Sequence, residues 1–162
     1  MKTTFISLLY GLMLGLGLSP AVAAEDHAQH GHGMAQDQRA VLALTPPERA
    51  MLLEEMRGFL SGVQVITGAL GKQDMQAVAV AARGMGQKMV HDVPPVLRAK
   101  LPPEFRQLGF SVHGDFDQLA MDAESMKDVS YSLNQLSAIQ QKCVACHSVY
   151  QIQPQMGING SH

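Results

Sequence analysis

The chain contains no tryptophan, only two cysteines and few aromatic or charged residues; aromatic side chains make up 5% and charged ones 16% of its 162 residues. Its basic residues are neither abundant nor clustered, which argues against nucleic-acid binding. No paired carboxylates, no nucleophile with a nearby base and no phosphate-binding loop stand out, so we do not predict an enzyme. Because aromatic residues are scarce, a core must be built mainly from Leu, Val, Ala and Met.

Long apolar runs are also scarce, and the longest stands at the N-terminus. Met1-Lys2 provides a small positive region, Phe5–Leu18 is apolar, and Ala21-Val22-Ala23 offers the small residues of a cleavage site. An apolar run of about fourteen residues is too short to span a bilayer. We therefore predict that residues 1–24 are a secretory signal peptide and that the mature protein has no stable membrane insertion.

Removal of 24 residues from 162 leaves 138, which is enough for one domain and too few for two. Without Lys2, 11 basic and 14 acidic residues give a formal net charge of −3. Residues 25–44 form a polar tail that we expect to be disordered. Its His27, His30 and His32 could bind copper or nickel, or could simply be solvated. We place the folded domain at residues 45–153 and a flexible C-terminal tail at 154–162.

The first predicted helix begins at Thr45 and runs to about Leu70. Pro46 suits the first helical position, and Glu48 completes a capping box with Thr45. Gly71 then ends the helix. Apolar residues recur every three or four positions, at Leu52, Met56, Phe59, Val63, Ile66 and Leu70.

A second helix is predicted from about Gln73 to Val90. Gly84 and Gly86 weaken this prediction, and they either permit close approach of another group or mark a distortion. The paired prolines between Asp92 and Pro103 cannot continue a helix, so we expect a crossover connection there. The apolar face of the second helix is formed by Met75, Val78, Ala82, Met85 and Met89.

Two further helices are predicted, from about Pro103 to Met126 and from about Asp128 onward. Neither Gly nor Pro separates them, but one continuous helix of about fifty residues is improbable in so short a chain. The first carries an apolar stripe, and the second an inner face that includes Cys143, His147 and Tyr150. Four amphipathic helices without a convincing strand predict an all-α fold, an antiparallel four-helix bundle. The predicted inward residues are Phe105, Leu108, Val112, Phe116, Leu119, Ala123 and Met126 on the third helix, and Val129, Leu133 and Leu136 with the three above on the fourth.

The most specific motif of the chain is Cys143-Val144-Ala145-Cys146-His147, inside the fourth predicted helix. In such a C-x-x-C-H sequence the two thiols form thioethers with haem and the histidine ligates the iron. At 3.6 residues per turn, Cys143, Cys146 and His147 leave the same face of a helix and can meet one flat macrocycle. We therefore predict one covalent c-type haem near the C-terminus, with His147 as the proximal iron ligand.

Two other interpretations of the motif are weaker. A redox-active C-x-x-C usually opens a helix after a buried strand, whereas here it ends a long helical segment. A tetrahedral zinc site would need two more ligands, and the chain has no further cysteine. Because both cysteines become thioethers, no disulfide is expected.

A helical domain of this length, an N-terminal signal and a single C-x-x-C-H near the end of the last helix resemble the class II cytochromes c, the cytochrome c′ family. The resemblance covers roughly residues 45 to 152. It implies a soluble haem protein of the bacterial periplasm, often a homodimer, that either exchanges single electrons with redox partner proteins or binds small gases such as NO and CO. Members commonly follow the motif with an aromatic and then a basic residue, whereas Tyr150 is here followed by Gln151. Arg57, Arg98 or Lys100 are the candidates to contact the haem propionates instead.

The resemblance also implies a test between the two functions. Low-spin members use a methionine of the first helix as sixth iron ligand, and gas-binding members leave that position open. Met56 lies on the inner stripe of the first helix and is our candidate sixth ligand; Met51 lies about 140° away around the helix and is a poorer one. His91 and His113 are the other histidines of the domain, and either could be the sixth ligand in place of a methionine. We expect both near the surface instead, because histidines beside an apolar face are more often solvated or hydrogen-bonded than metal-bound. We therefore predict an electron carrier, with gas binding at a vacant distal site as the alternative.

Overall fold

The structure, a computed structural model, describes residues 36–91 and 93–153, and of His91 it describes the backbone. The predicted signal peptide, the three histidines of the N-terminal tail, the predicted tail 154–162 and the His91 side chain lie outside the described residues. Within them the fold is all-α, as predicted. The elements are β1 (Ala40–Val41), α1 (Pro46–Gly71), α2 (Met75–Arg83), α3 (Lys88–His91), α4 (Pro95–Lys100), α5 (Pro103–Ser125), α6 (Val129–Val149) and β2 (Tyr150–Gln151).

The helix starts follow from local capping. The backbone N–H of Thr45 donates to the Glu48 carboxylate at 2.9 Å, which is the capping interaction predicted for α1. Asp128 caps α6 by accepting from the N–H of Tyr131 at 2.9 Å. Lys127 before it has a φ of 53°, in the left-handed region, so the chain turns there without glycine or proline. The break between the last two long helices is thus confirmed.

The second predicted helix is wrong in its continuity. It ends at Arg83, and a turn separates α2 from the short α3. The Asp117 carboxylate of α5 accepts from the N–H of Gln87 at 2.9 Å and so supports the break. A Cβ at Gly86 would lie 1.8 Å from Asp117 Oδ1. A side chain at position 86 would therefore displace the Asp117 carboxylate, and glycine permits this close approach. The distortion and the close approach expected at this position occur together.

The connection between α3 and α5 also differs from the prediction, since it contains the six-residue helix α4. Pro95 stands in the first turn of α4, where the missing N–H does no harm. The Lys100 ammonium pairs with the Glu48 carboxylate at 2.6 Å and joins α4 to the start of α1. The prolines therefore bracket a short helix rather than exclude one.

The main core lies where α1 packs on α2, α2 on α5 and α5 on α6. Ile66, Val78, Phe116 and Leu119 are completely buried in it. Phe59 of α1 stacks on Phe116 with ring centroids 5.7 Å apart. Within the described residues no helix is both long and apolar enough to cross a membrane.

His113 corrects our expectation of a surface residue, because only 3% of it is exposed. Its Nδ1 lies 2.7 Å from the carbonyl oxygen of Met85, and its Nε2 lies 3.2 Å from the Glu55 carboxylate. The Phe59 ring covers it at a centroid distance of 5.0 Å. A buried polar group is tolerated when it is hydrogen-bonded, and here both ring nitrogens have partners.

Three residues predicted to face inward are exposed, namely Met126, Leu133 and His147, and His147 is described with the candidate site. Met126 follows the last residue of α5, beyond the packed part of the helix. Leu133 points away because α6 is rotated relative to the predicted face. The buried residues of α6 are Ser132, Leu136 and Ile139.

Order begins before the predicted boundary at residue 45, so the expectation of disorder fails for the last part of the segment 25–44. β1 pairs in parallel with β2, with Ala40 opposite Tyr150 and Val41 opposite Gln151. Leu42 and Leu44 are both buried. Burial of two leucines stabilises this short pairing, which has too few backbone hydrogen bonds to persist alone. We call residues 37–44 the N-terminal clasp.

Candidate functional site

The predicted haem-attachment motif lies in the last two turns of α6. The helix is regular through Val149, so Cys143, Cys146 and His147 leave one face of it, as their spacing predicts. Tyr150 then leaves the helix in extended conformation and begins β2. The motif therefore lies in the last turns of a long helix, directly before a strand that is paired with the clasp.

Both cysteines are free and half-buried. Cys143 packs against the main core, and its thiol lies 3.4 Å from the carbonyl oxygen of Ile139. Burial raises the pKa of the Cys143 thiol. Burial, and secondly the charge of Cys143, raise the pKa of the Cys146 thiol. Catalytic redox dithiols depend on a lowered thiol pKa, so these two cysteines have the opposite electrostatic character.

His147 is exposed, whereas the sequence placed it on the inner face of its helix with Cys143. Val144 and Val149 in the same two turns are also exposed. The imidazole is therefore reachable from outside the domain. Its backbone carbonyl accepts a hydrogen bond from the Arg39 guanidinium at 3.0 Å.

A second apolar cluster lies beside the end of α6. It is formed by one side of α1, by α4 and by the clasp, and Met56 and Tyr150 both pack against it. Phe105 meets the Tyr150 ring edge to face, with centroids 5.3 Å apart. Met56 therefore shares a cluster with the residue three positions after His147, whereas Met51 is 45% exposed. The buried members of the cluster are Leu42, Leu44, Leu52, Leu97 and Leu101.

The three basic residues proposed for the haem propionates are all engaged. Arg57 pairs with Glu54 on the exposed side of α1, and Lys100 pairs with Glu48. Arg98 donates to the carbonyl oxygens of Val90 and Val93 at 2.9 and 3.2 Å, while its buried Nε has no hydrogen-bond partner among the described residues. Of the three, only Arg98 has a buried side-chain nitrogen without a hydrogen-bond partner among the described residues.

The donor set fits the chemistry of covalent haem. Two protonated thiols are available for addition to vinyl groups, and a reachable imidazole stands on the same helical face. The described residues contain no group of three or more His, Cys, Asp or Glu side chains placed to hold a metal ion.

The clasp is an element that the sequence pattern does not predict. Its only signal is the apolar Val41-Leu42-Ala43-Leu44, which is too short to distinguish from a loop. Comparison with known proteins found no matching family model, no matching curated protein and no matching solved structure.

Proposed function

We propose that the protein is an exported c-type cytochrome that carries single electrons, with one haem bound covalently through Cys143 and Cys146. The observation that carries this proposal is the placement of both thiols and the His147 imidazole on one face of a regular helix. Haem iron supplies the electron-transfer chemistry, because it alternates between the ferric and ferrous states. The protein's own residues hold the group and control access to it.

The half-buried thiols suit this role. Their raised pKa keeps both in the thiol form at neutral pH. Neither thiol is poised as a nucleophile toward a second cysteine, and attachment consumes both of them. His147 is the proposed proximal ligand, and its exposed position leaves the imidazole free to bind.

The proposed architecture is an antiparallel four-helix bundle made of α1, α2, α5 and α6, with α3 and α4 in the crossover. The sequential packing of α1 on α2, α2 on α5 and α5 on α6 supports it. Helices joined by short turns run antiparallel, and a bundle of this kind houses a cofactor among facing helices. In such a bundle α6 would hold the haem through Cys143, Cys146 and His147, and α1 would contribute Met56.

Met56 is the proposed sixth iron ligand. Its support is that it packs against the apolar cluster beside the end of α6, whereas Met51 is exposed. A thioether opposite histidine raises the reduction potential and closes the iron to outside ligands. Both effects suit an electron carrier of the periplasm that exchanges electrons with partner proteins, and both oppose gas binding.

Absorption spectra of the purified protein with and without carbon monoxide test this function, using Met56→Ala against Met51→Ala as the matched control. We expect a six-coordinate, carbon monoxide-insensitive wild type that is unchanged by Met51→Ala and opened by Met56→Ala. A wild type that is high-spin and binds carbon monoxide readily would contradict the electron-carrier function and favour gas binding. A wild-type protein that contains no haem would refute both functions.

A further inference from the structure

The carbonyl group of His147 has a hydrogen-bond partner from a distant part of the chain. It belongs to the last turn of α6, where carbonyl oxygens have no N–H donor within the helix. Arg39 Nη1 donates to it at 3.0 Å from 108 positions earlier in the chain. A cation at a helix C-terminus also interacts favourably with the negative end of the helix dipole. The contact thus caps α6 at the residue proposed to bind iron.

Asp37 fixes the guanidinium in this position. Its carboxylate accepts from Arg39 Nε at 3.0 and 3.1 Å and from Nη2 at 2.6 Å. It also accepts from the backbone N–H of Arg39 at 3.0 Å. Hydrogen bonds from Arg39 lower the pKa of Asp37 to about 2, so the carboxylate is charged at neutral pH. Nη1 then remains directed to His147.

The backbone of Arg39 is held as firmly as its side chain. The Gln151 side-chain amide donates to the Arg39 carbonyl oxygen at 2.7 Å. The N–H of Leu42 donates to the Gln151 carbonyl at 3.0 Å, next to the paired strands. Leu42 and Leu44 are buried in the apolar cluster that also contacts Met56. The clasp is therefore anchored on both sides of Arg39.

We propose that Arg39 is a positioning residue for His147, and that the Asp37–Arg39 pair sets the electrostatic field on the His147 side of the haem. This inference rests on the proposed function. Reduction adds an electron at the iron, so a nearby positive charge favours the ferrous state and a nearby negative charge the ferric state. Removing either member of the pair leaves the other uncompensated. The two variants must therefore shift the reduction potential in opposite directions.

The test is the reduction potential of the full-length holoprotein, measured for wild type, Arg39→Gln and Asp37→Asn. We expect a lower potential in Arg39→Gln, a higher one in Asp37→Asn, and shifts that shrink as salt is added. Salt dependence follows because both side chains are more than a third exposed. Arg83→Gln is the matched control, since Arg83 forms an ion pair of similar exposure with Glu124 between α2 and α5. It should leave the potential unchanged.

Arg39→Lys separates charge from geometry. It keeps the positive charge, so the potential should stay near the wild-type value, while loss of the two-sided guanidinium contacts should lower the melting temperature of the holoprotein. If Arg39→Gln does not accumulate with haem, Asp37→Asn and Arg39→Lys still decide the question. Equal potentials in wild type and Asp37→Asn, or shifts of the same sign in Arg39→Gln and Asp37→Asn, would overturn the proposal. A wild type without covalent haem refutes the proposed function itself, and the role of Arg39 falls with it.

Discussion

Replacing His113 with glutamine should weaken the fold in a way that depends on pH. Both neighbours of the ring, the Met85 carbonyl and the Glu55 carboxylate, are hydrogen-bond acceptors. An imidazole satisfies two acceptors only when both of its nitrogens are protonated. Burial alone lowers the pKa of His113, but Glu55 and the backbone of Met85 and Gly86 outweigh it, so the pKa is raised.

The sign of the pH dependence follows from this shift. A pKa that is higher in the folded than in the unfolded state adds stability that is complete below the unfolded value of about 6.5. That stability is lost as the pH rises through the folded value. A hydrogen bond to a charged group contributes about 1.5–3 kcal/mol. We expect the free energy of unfolding of His113→Gln to be lower than that of the wild type by about 1.5–3 kcal/mol at low pH, and by less at high pH.

The assay is the free energy of urea unfolding of wild type and His113→Gln between about pH 5.5 and 8.5, on either side of the unfolded pKa. Glu55→Gln should reproduce the effect, and Glu54→Gln, on the exposed side of α1, is the control. The visible spectrum should not change in any of them. If the difference in free energy of unfolding between wild type and His113→Gln is constant or grows with pH, His113 is not a protonated residue bonded to Glu55.

Two further predictions concern packing. Phe116→Ala should lower the free energy of unfolding by about 3–5 kcal/mol, because this fully buried ring joins α5 to α1; a loss below about 1 kcal/mol would place the ring outside the core. Gly86→Ala should destabilise by about 1–3 kcal/mol, because its Cβ would collide with Asp117. Gly58→Ala is the matched control and should be neutral or stabilise by up to about 1 kcal/mol, since nothing lies within 4 Å of its Cβ position. Equal effects of the two glycine variants in urea unfolding would contradict the close approach at Gly86.

The parts of the fold that depend on local chemistry could be predicted from the sequence. The start of α1 at the Thr45–Glu48 capping box and the start of α6 after Lys127 depend only on neighbouring residues. The interruption after Arg83 could not be predicted with the same certainty. It depends on Asp117, about thirty positions away, which supports the turn from another helix.

The same distinction holds for the candidate site. The spacing of Cys143, Cys146 and His147 is local, and their common helical face follows from it. The burial of His113 needs Glu55, 58 positions away, and the capping of His147 needs Arg39, 108 positions away. Apolar periodicity carries no information about such polar partners, because a hydrogen-bonded histidine and a solvated one occupy the same place in the pattern.

Covalent attachment of haem to Cys143 and Cys146 is tested most directly by the intact mass of the exported protein. The mass should equal that of the mature chain plus one haem, and it should persist after extraction with acidified organic solvent, because thioether bonds survive that treatment. Cys143→Ser with Cys146→Ser should abolish the added mass. A wild-type mass equal to the polypeptide alone, or a haem that extracts into the solvent, would contradict the account.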